Sequence, residues 1–169
     1  NGEWIETGPS LWEYRVSGKP LTGWQFVSWS GGNNWFYFNS DGAMETGLQN
    51  LPYGSTHGTF YLDSTSGAMQ AGWKFVESAK SWYFFDKCTG AALTGWQELE
   101  YNGTVSWYFF DNGGAMYEND YTPDGYYVGD GGAWDGNPKD LENIAQDDGD
   151  WFCDDESGDC SYYNKNGEL

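Results

Sequence analysis

The chain has 169 residues, a fifth of them are Trp, Tyr or Phe, and 26 acidic residues outnumber seven Lys and Arg. A chain of this length has room for one ordinary domain or one repeat array. The net charge of −19 argues against nucleic acid as a partner, because its phosphates would be repelled. No apolar run approaches the roughly 20 residues that a transmembrane helix needs, so membrane insertion is not expected.

A short unit recurs along the chain at a nearly constant spacing. Its first position is held by Trp24, Leu48, Trp73, Trp96 and Tyr121, which gives steps of 24, 25, 23 and 25 residues. Repeats of this kind are supersecondary blocks that bury their apolar faces against their neighbours. A pair of helices needs more chain than one step provides, and a core rich in aromatic rings suits stacked hairpins.

Each unit also carries four consecutive aromatic or β-favouring residues, which we call the quartet, at 35–38, 59–62, 82–85 and 107–110. Turn-forming residues follow every quartet, as at 39–42 and 63–67. We interpret each unit as a β-hairpin, in which the quartet pairs with a second short strand after the turn, plus a connecting loop. The predicted fold is an all-β solenoid of stacked β-hairpin repeats over residues 1–136, followed by an acidic C-terminal cap or tail over 137–169.

The repeated motifs resemble the choline-binding or cell-wall-binding repeats of Gram-positive surface proteins and phage lysins, and the related glucan-binding repeats. The resemblance is carried by Thr-Gly-Trp at 22–24 and 94–96, by the quartets, and by Gly-Ala-Met at 42–44, 67–69 and 114–116. It covers about residues 4–136. It implies a secreted, non-catalytic module of the bacterial cell surface or cell wall that binds choline on teichoic or lipoteichoic acid, without a cofactor.

In the resembled family, a ligand box takes the Gly-Trp tryptophan and the first quartet tryptophan of one unit, and the third quartet aromatic of the next. Several ring faces together suit a quaternary ammonium, which donates no hydrogen bond but is attracted by ring quadrupoles. The copy that begins at Leu48 has lost both Trp positions, so no ligand is expected there. Carried over position by position, the pattern implies three boxes and a weaker fourth: Trp24, Trp35 and Tyr61; Trp73, Trp82 and Phe109; Trp96, Trp107 and Tyr127; and Trp4, Trp12 and Tyr37.

Other functions remain open on sequence grounds. Glucan rings also stack on aromatic side chains, and a repeat array can serve as a structural spacer or as an adhesin that binds a protein partner. The rings of any one box can also belong simply to the core of the solenoid. Catalysis is not expected, because most Asp and Glu residues lie in turns beside Gly and Asn, where they are turn formers.

The chain has three cysteines. Cys153 and Cys160 enclose a short polar loop, and we predict a local disulfide between them in an oxidising compartment, with Cys88 free. No metal site is expected, since zinc would need two further ligands and the single histidine, His57, lies far away in sequence.

Overall fold

The computed structural model describes residues 2–30 and 32–139, together with the backbone of two strands near the C-terminus. Every regular element in this part of the chain is a β-strand, which confirms the all-β class of hairpin repeats. None of the described residues belongs to a helix that could cross a membrane. The strands are β1 (Gly2–Gly8), β2 (Leu11–Val16), β3 (Lys19–Pro20), β4 (Gly23–Trp29), β5 (Gly32–Phe38), β6 (Gly47–Tyr53), β7 (Thr56–Leu62), β8 (Gly72–Val76), β9 (Ser81–Phe85), β10 (Gly95–Tyr101), β11 (Thr104–Phe110), β12 (Asp120–Tyr121), β13 (Tyr127–Val128), β14 (Gly149–Cys153) and β15 (Cys160–Asn164).

Contacts divide the chain into two compact units. The first contains Asn1–Gly95 and Phe110–Met116, and the second contains Trp96–Phe109 and Tyr117–Leu169. This division falls inside the repeat array. The predicted domain boundary at residue 136 stays a prediction.

The strand that begins at each Gly-Trp position pairs with the quartet strand that follows it. In β4–β5, Trp24 lies opposite Tyr37 and Gly23 lies opposite Phe38. The expected second strand after the quartet is reduced to one bridge, such as Phe38 with Met44. The quartet strand therefore pairs with the strand before it, and not with the segment after the turn as we expected. That segment forms its hydrogen bonds with another hairpin.

That segment, which we call the exit segment, bonds to the preceding hairpin. The N–H of Met44 donates to the carbonyl of Trp12 at 2.7 Å, and the N–H of Met69 donates to the carbonyl of Trp35 at 2.9 Å. Each of these carbonyls belongs to the first quartet residue of the preceding repeat. Backbone hydrogen bonds therefore tie successive repeats together, and further bonds of this kind run from Ala92 to Thr59, from Met116 to Trp82 and from Trp134 to Trp107.

The two faces of a hairpin differ. Residues that lie opposite each other in an antiparallel pair share a face, so Trp24 and Tyr37 lie on one face of β4–β5, and Phe36 and Phe38 lie on the other. Phe36 and Phe38 are fully buried, and Trp4 of the preceding hairpin packs against their cluster. Neighbouring hairpins of the first unit therefore meet with unlike faces, the Trp face of one against the Phe face of the next.

A polar side chain organises the turn after each quartet. Asp86 Oδ1 accepts the N–H groups of Cys88 and Thr89, at 3.0 and 2.7 Å, and the Thr89 hydroxyl at 2.9 Å. The hydrogen bonds from Thr89 are the largest cause of the lowered pKa of Asp86. The turn ends at Gly90, whose φ is +75°, and a Cβ there would overlap the Met69 sulfur. The turn thus needs an acceptor at its start and a glycine at its end.

The C-terminal segment contains one further hairpin. β14 and β15 are antiparallel, and Cys153 lies directly opposite Cys160. The side chains of these two cysteines lie outside the described residues, so their disulfide stays a prediction. Cys88 is a free, exposed thiol.

Candidate functional site: two aromatic clefts

The first unit contains an open cleft of about 230 Å³ where β4–β5 meets β6–β7. We call it the internal cleft. The ring of Trp24 meets Phe60 edge-on at 4.7 Å between centroids, and Trp24 Nε1 donates to the carbonyl of Pro52 at 2.9 Å. Among the described residues its lining includes no charged side chain and consists of Trp24, Trp35, Tyr53, Phe60, Met69 and Thr89.

The predicted box of Trp24, Trp35 and Tyr61 is only partly assembled there. Both tryptophans line the internal cleft, but Phe60 supplies the quartet ring of the next repeat. Tyr61 shares the opposite face of its hairpin with Leu48, and its ring centroid lies 6.2 Å from that of Phe85. Because unlike faces meet, the side chain at the second quartet position points at the preceding hairpin. The family pattern implies the third quartet position instead.

The second unit contains a cleft of about 350 Å³, which we call the terminal cleft. It is lined by Trp96, Trp107, Asp124, Tyr126 and Trp134. The Tyr126 ring stands nearly perpendicular to Trp96 at 5.7 Å and to Trp134 at 6.0 Å. The terminal cleft therefore combines four aromatic rings with one carboxylate.

The predicted box of Trp96, Trp107 and Tyr127 differs from this cleft by one sequence position. Tyr126 lines the cleft, while Tyr127 meets Tyr121 at 5.1 Å. Sequence reasoning also missed Trp134, although a signal was present. Gly-Ala-Trp at 132–134 stands where other repeats have Gly-Ala-Met, and Met69 lines the internal cleft at the same position.

Asp124 was not predicted as a site residue. Its Oδ2 accepts the N–H of Trp96 Nε1 at 3.0 Å, and its Oδ1 lies 2.6 Å from the hydroxyl of Thr122. Burial raises the pKa of Asp124, but the hydrogen bonds from Thr122 and Trp96 and the positive charge of Lys139 outweigh it, so the pKa is lowered overall. The terminal cleft therefore carries a negative charge at neutral pH.

The box of Trp73, Trp82 and Phe109 has members in both compact units. In the first unit, the rings of Trp73 and Trp82 lie 6.5 Å apart. In the second, Phe109 lies 5.3 Å from Trp96, on the same hairpin. This box stays a prediction.

The box of Trp4, Trp12 and Tyr37 has a different third ring. Trp29 meets Trp4 at 5.1 Å and Trp12 at 6.4 Å, both edge-on. Tyr37 lies on the other face of its hairpin, 5.3 Å from Trp24. The indoles of the first hairpin therefore pack against an indole of the next one, and this box stays a prediction.

In the repeat that lacks both Trp positions, one aromatic ring contacts a cation from the following repeat. Lys74 Nζ lies 4.8 Å from the ring centre of Tyr61. Leu48 and Tyr61 pack against a buried cluster that includes Tyr83 and Phe85. An aromatic side chain in this array thus already contacts an ammonium group.

Solved structures similar to this chain include two proteins from Streptococcus pneumoniae and a pneumococcal cell-wall endolysin from phage Cp-1. A multimodular pneumococcal cell-wall endolysin from phage Cp-1, solved with choline, is 29% identical, covers 81% of this chain and 38% of its own, and has a TM-score of 0.52. The modular autolysin LytC from Streptococcus pneumoniae covers 99% of this chain and 32% of its own at 21% identity, with a TM-score of 0.55, and shows the fold alone. Choline-binding protein F from Streptococcus pneumoniae is 31% identical over 78% of this chain and 46% of its own, with a TM-score of 0.45.

The present chain spans less than half the length of each of these three proteins. No protein-family model matches it, and no curated protein matches it either. Its fold and clefts define an all-β repeat protein whose successive hairpins enclose aromatic clefts. Together, the repeated motifs and the similarity to the endolysin support a relationship to the choline-binding repeat family.

Proposed function

We propose that this chain is a non-catalytic, cell-wall-binding module that recognises choline in its internal and terminal clefts. The observation that carries the proposal is that four aromatic rings from two successive repeats line each cleft. A trimethylammonium group offers no hydrogen-bond donor, so ring faces are its natural partners, at roughly 0.5 to 2 kcal/mol for each contact. Trp73 and Trp82 are proposed as parts of a third site.

We place the action of this module at the bacterial cell surface, after secretion, on choline attached to teichoic or lipoteichoic acid. The choline complex of the similar phage endolysin, a cell-wall enzyme, supports this assignment. Any activity that accompanies binding would belong to parts of a longer protein.

A glucan is the second candidate ligand, because Trp35 and Trp107 are each 42% exposed and a flat exposed ring can stack on a sugar. A bound sugar also needs polar side chains around its hydroxyl groups. The hydroxyl groups of the internal cleft are those of Tyr53 and Thr89, and that of Thr89 already donates to Asp86. This lining favours a methylated cation over a sugar.

The test is a Trp fluorescence titration with choline chloride, with sodium chloride at equal ionic strength as the blank and with malto-oligosaccharide and dextran as competing ligands. Choline alone should quench the fluorescence. Trp35→Leu, which keeps apolar volume but removes the ring face, should weaken binding at the internal cleft by about tenfold, whereas Trp35→Phe should keep most of it. Trp107→Leu and Trp107→Phe form the matching pair for the terminal cleft.

The same titration separates the alternatives. A response to glucan without a response to choline would replace the proposal with a glucan-binding module. A response to neither ligand would leave the rings as packing groups and favour a spacer or a protein-binding adhesin. Equal effects of the Leu and Phe variants would contradict recognition by ring faces.

A further inference from the structure

The two clefts are built from matching positions but differ in charge. The Gly-Trp tryptophan, the first quartet tryptophan and the exit residue are Trp24, Trp35 and Met69 in the internal cleft. They are Trp96, Trp107 and Trp134 in the terminal cleft. Only the lining of the terminal cleft includes a carboxylate, Asp124, among the described residues.

Asp124 accepts the indole N–H bond that a backbone carbonyl accepts in the internal cleft. The indole N–H of Trp24 donates to the carbonyl of Pro52, whereas the indole N–H of Trp96 donates to Asp124 Oδ2. A carboxylate offers about four acceptor positions, and Trp96 and Thr122 use two of them. Asp124 therefore keeps acceptor capacity for a ligand, together with its full negative charge.

From this difference we propose that the terminal cleft accepts ammonium ligands that carry N–H groups, such as ethanolamine and its partly methylated forms, as well as choline. The internal cleft is then selective for the fully methylated ammonium. This inference rests on the proposed function of both clefts and extends the ligand class of one of them.

The two clefts differ in the hydrogen-bond acceptors that they offer to ligand N–H groups. In the terminal cleft an N–H can donate to a carboxylate, and charge-assisted bonds of this type are roughly twice as strong as neutral ones. In the internal cleft the Thr89 hydroxyl already donates to Asp86 and accepts the N–H of Ala91. A ligand N–H that lost its water there could donate only to a neutral oxygen such as the Tyr53 hydroxyl, and would gain less free energy than at a carboxylate.

A primary ammonium of the protein already lies at the terminal cleft. Lys139 Nζ lies 5.6 Å from the ring centre of Tyr126, and its charge contributes to the lowered pKa of Asp124. An N–H-bearing cation is thus compatible with this combination of ring and carboxylate. Lys139 is also expected to compete weakly with a bound amine.

The test isolates each cleft by removing tryptophans from the other sites. Trp35→Ala with Trp82→Ala leaves the terminal cleft, and Trp82→Ala with Trp107→Ala leaves the internal cleft. Each double variant is titrated at neutral pH with choline, N,N-dimethylethanolamine and ethanolamine, by calorimetry. The terminal cleft should bind all three within about tenfold, whereas the internal cleft should bind ethanolamine at least about tenfold more weakly than choline.

Two further variants assign the difference to charge. Asp124→Asn, added to the terminal-cleft variant, keeps an acceptor for Trp96 and should weaken ethanolamine binding by about tenfold and choline binding by less. Lys139→Gln leaves the bonds of Asp124 to Trp96 and Thr122 in place and should strengthen ethanolamine binding about twofold. Thermal unfolding of every variant shows whether the fold is kept.

The outcomes distinguish this inference from the proposed function. If both clefts bind choline and rank the three amines alike, the inference is overturned while choline recognition stands. An equal loss of all three ligands in Asp124→Asn, or no gain in Lys139→Gln, also counts against it. If neither cleft binds any of the amines, the proposed function itself fails.

Discussion

Tyr126 and Tyr127 are neighbours in sequence, yet only Tyr126 lines the terminal cleft. Successive side chains of an extended chain point to opposite sides, so a shift of one position replaces a cleft residue with one that points away. Phe60 and Tyr61 show the same difference at the internal cleft. At the scale of single residues, the facing of adjacent hairpins decides which aromatic side chain can touch a ligand.

Tyr126→Ala and Tyr127→Ala form a matched pair that tests this arrangement. In the variant that keeps only the terminal cleft, Tyr126→Ala should weaken choline binding by about tenfold, because one ring face is lost. Tyr127→Ala should leave the affinity nearly unchanged. Isothermal titration with choline measures both variants, and equal melting temperatures serve as the control. A larger loss in Tyr127→Ala would show that the third quartet position supplies the ring after all.

At the scale of one element, the turn after the quartet shows how a single side chain directs the exit segment. Asp86 holds the turn in one repeat, and Asn39 holds it in another, where its Oδ1 accepts the N–H groups of Asp41 and Ala43. An amide oxygen and a carboxylate oxygen accept the same kind of backbone hydrogen bonds in these turns. The shared requirement is therefore an acceptor in the right geometry and not a charge. The ordered turn brings the exit segment to the preceding hairpin.

We predict that Asp86→Ala lowers the free energy of unfolding by about 1 kcal/mol, since the turn loses its acceptor. Asp86→Asn should cost less. Urea denaturation of both variants at neutral pH, with Lys87→Ala as an exposed control in the same turn, measures the difference. A loss in Asp86→Asn as large as that in Asp86→Ala would contradict the role of the acceptor.

The lowered pKa of Asp86 also predicts a pH dependence. A carboxylate whose pKa is lower in the folded state adds stability above its unfolded pKa, and this contribution is lost as the pH falls through the folded value. Asp63 and Asp124 have lowered pKa values as well. The stability advantage of the wild type over Asp86→Asn should therefore shrink on acidification below the ordinary Asp pKa of 3.8. An advantage that grew at low pH would have the wrong sign.

At the scale of the whole molecule, several weak sites on one chain should act together on a polymer that carries many cholines. A small cation makes few contacts in an open cleft, so each site alone is expected to be weak. Linked sites gain from effective concentration when they can engage the same polymer. Strong retention on the polymer would then come from the number of sites.

Retention on a choline-substituted resin measures this effect. Trp35→Ala and Trp107→Ala should each lower the choline concentration needed for elution, and the double variant should be released much earlier than the two single effects predict. Elution with sodium chloride at equal ionic strength is the control. Unchanged retention in the double variant would mean that the internal and terminal clefts do not hold the chain on the resin.

The C-terminal hairpin gives a second prediction at this scale. Because Cys153 lies opposite Cys160 in the β14–β15 register, we expect these two residues to form a disulfide in protein prepared under oxidising conditions. Thiol counting in denaturant without reductant should then find one free thiol, Cys88. The double variant Cys153→Ser with Cys160→Ser should also show one free thiol. Three free thiols in the wild type would exclude the disulfide.

The sequence by itself determined the class of fold and the phase of the repeats. Gly-Trp positions such as Trp24 and Trp96, and the quartets after them, recur at nearly equal spacing, and alternation along a strand is a local property of the chain. Both tryptophans of each cleft followed from the same pattern. These features needed no knowledge of which parts of the chain meet.

Only the tertiary structure decided the pairing of the quartet strand and the ring that completes each cleft. Both depend on which faces of adjacent hairpins meet, and the repeat pattern does not state this. The sequence did not identify Asp124 for the same reason. Its bond to Trp96 joins residues 28 positions apart, and Asp is also common in turns. A carboxylate becomes part of a binding cleft through its neighbours in space, and folding alone supplies those neighbours.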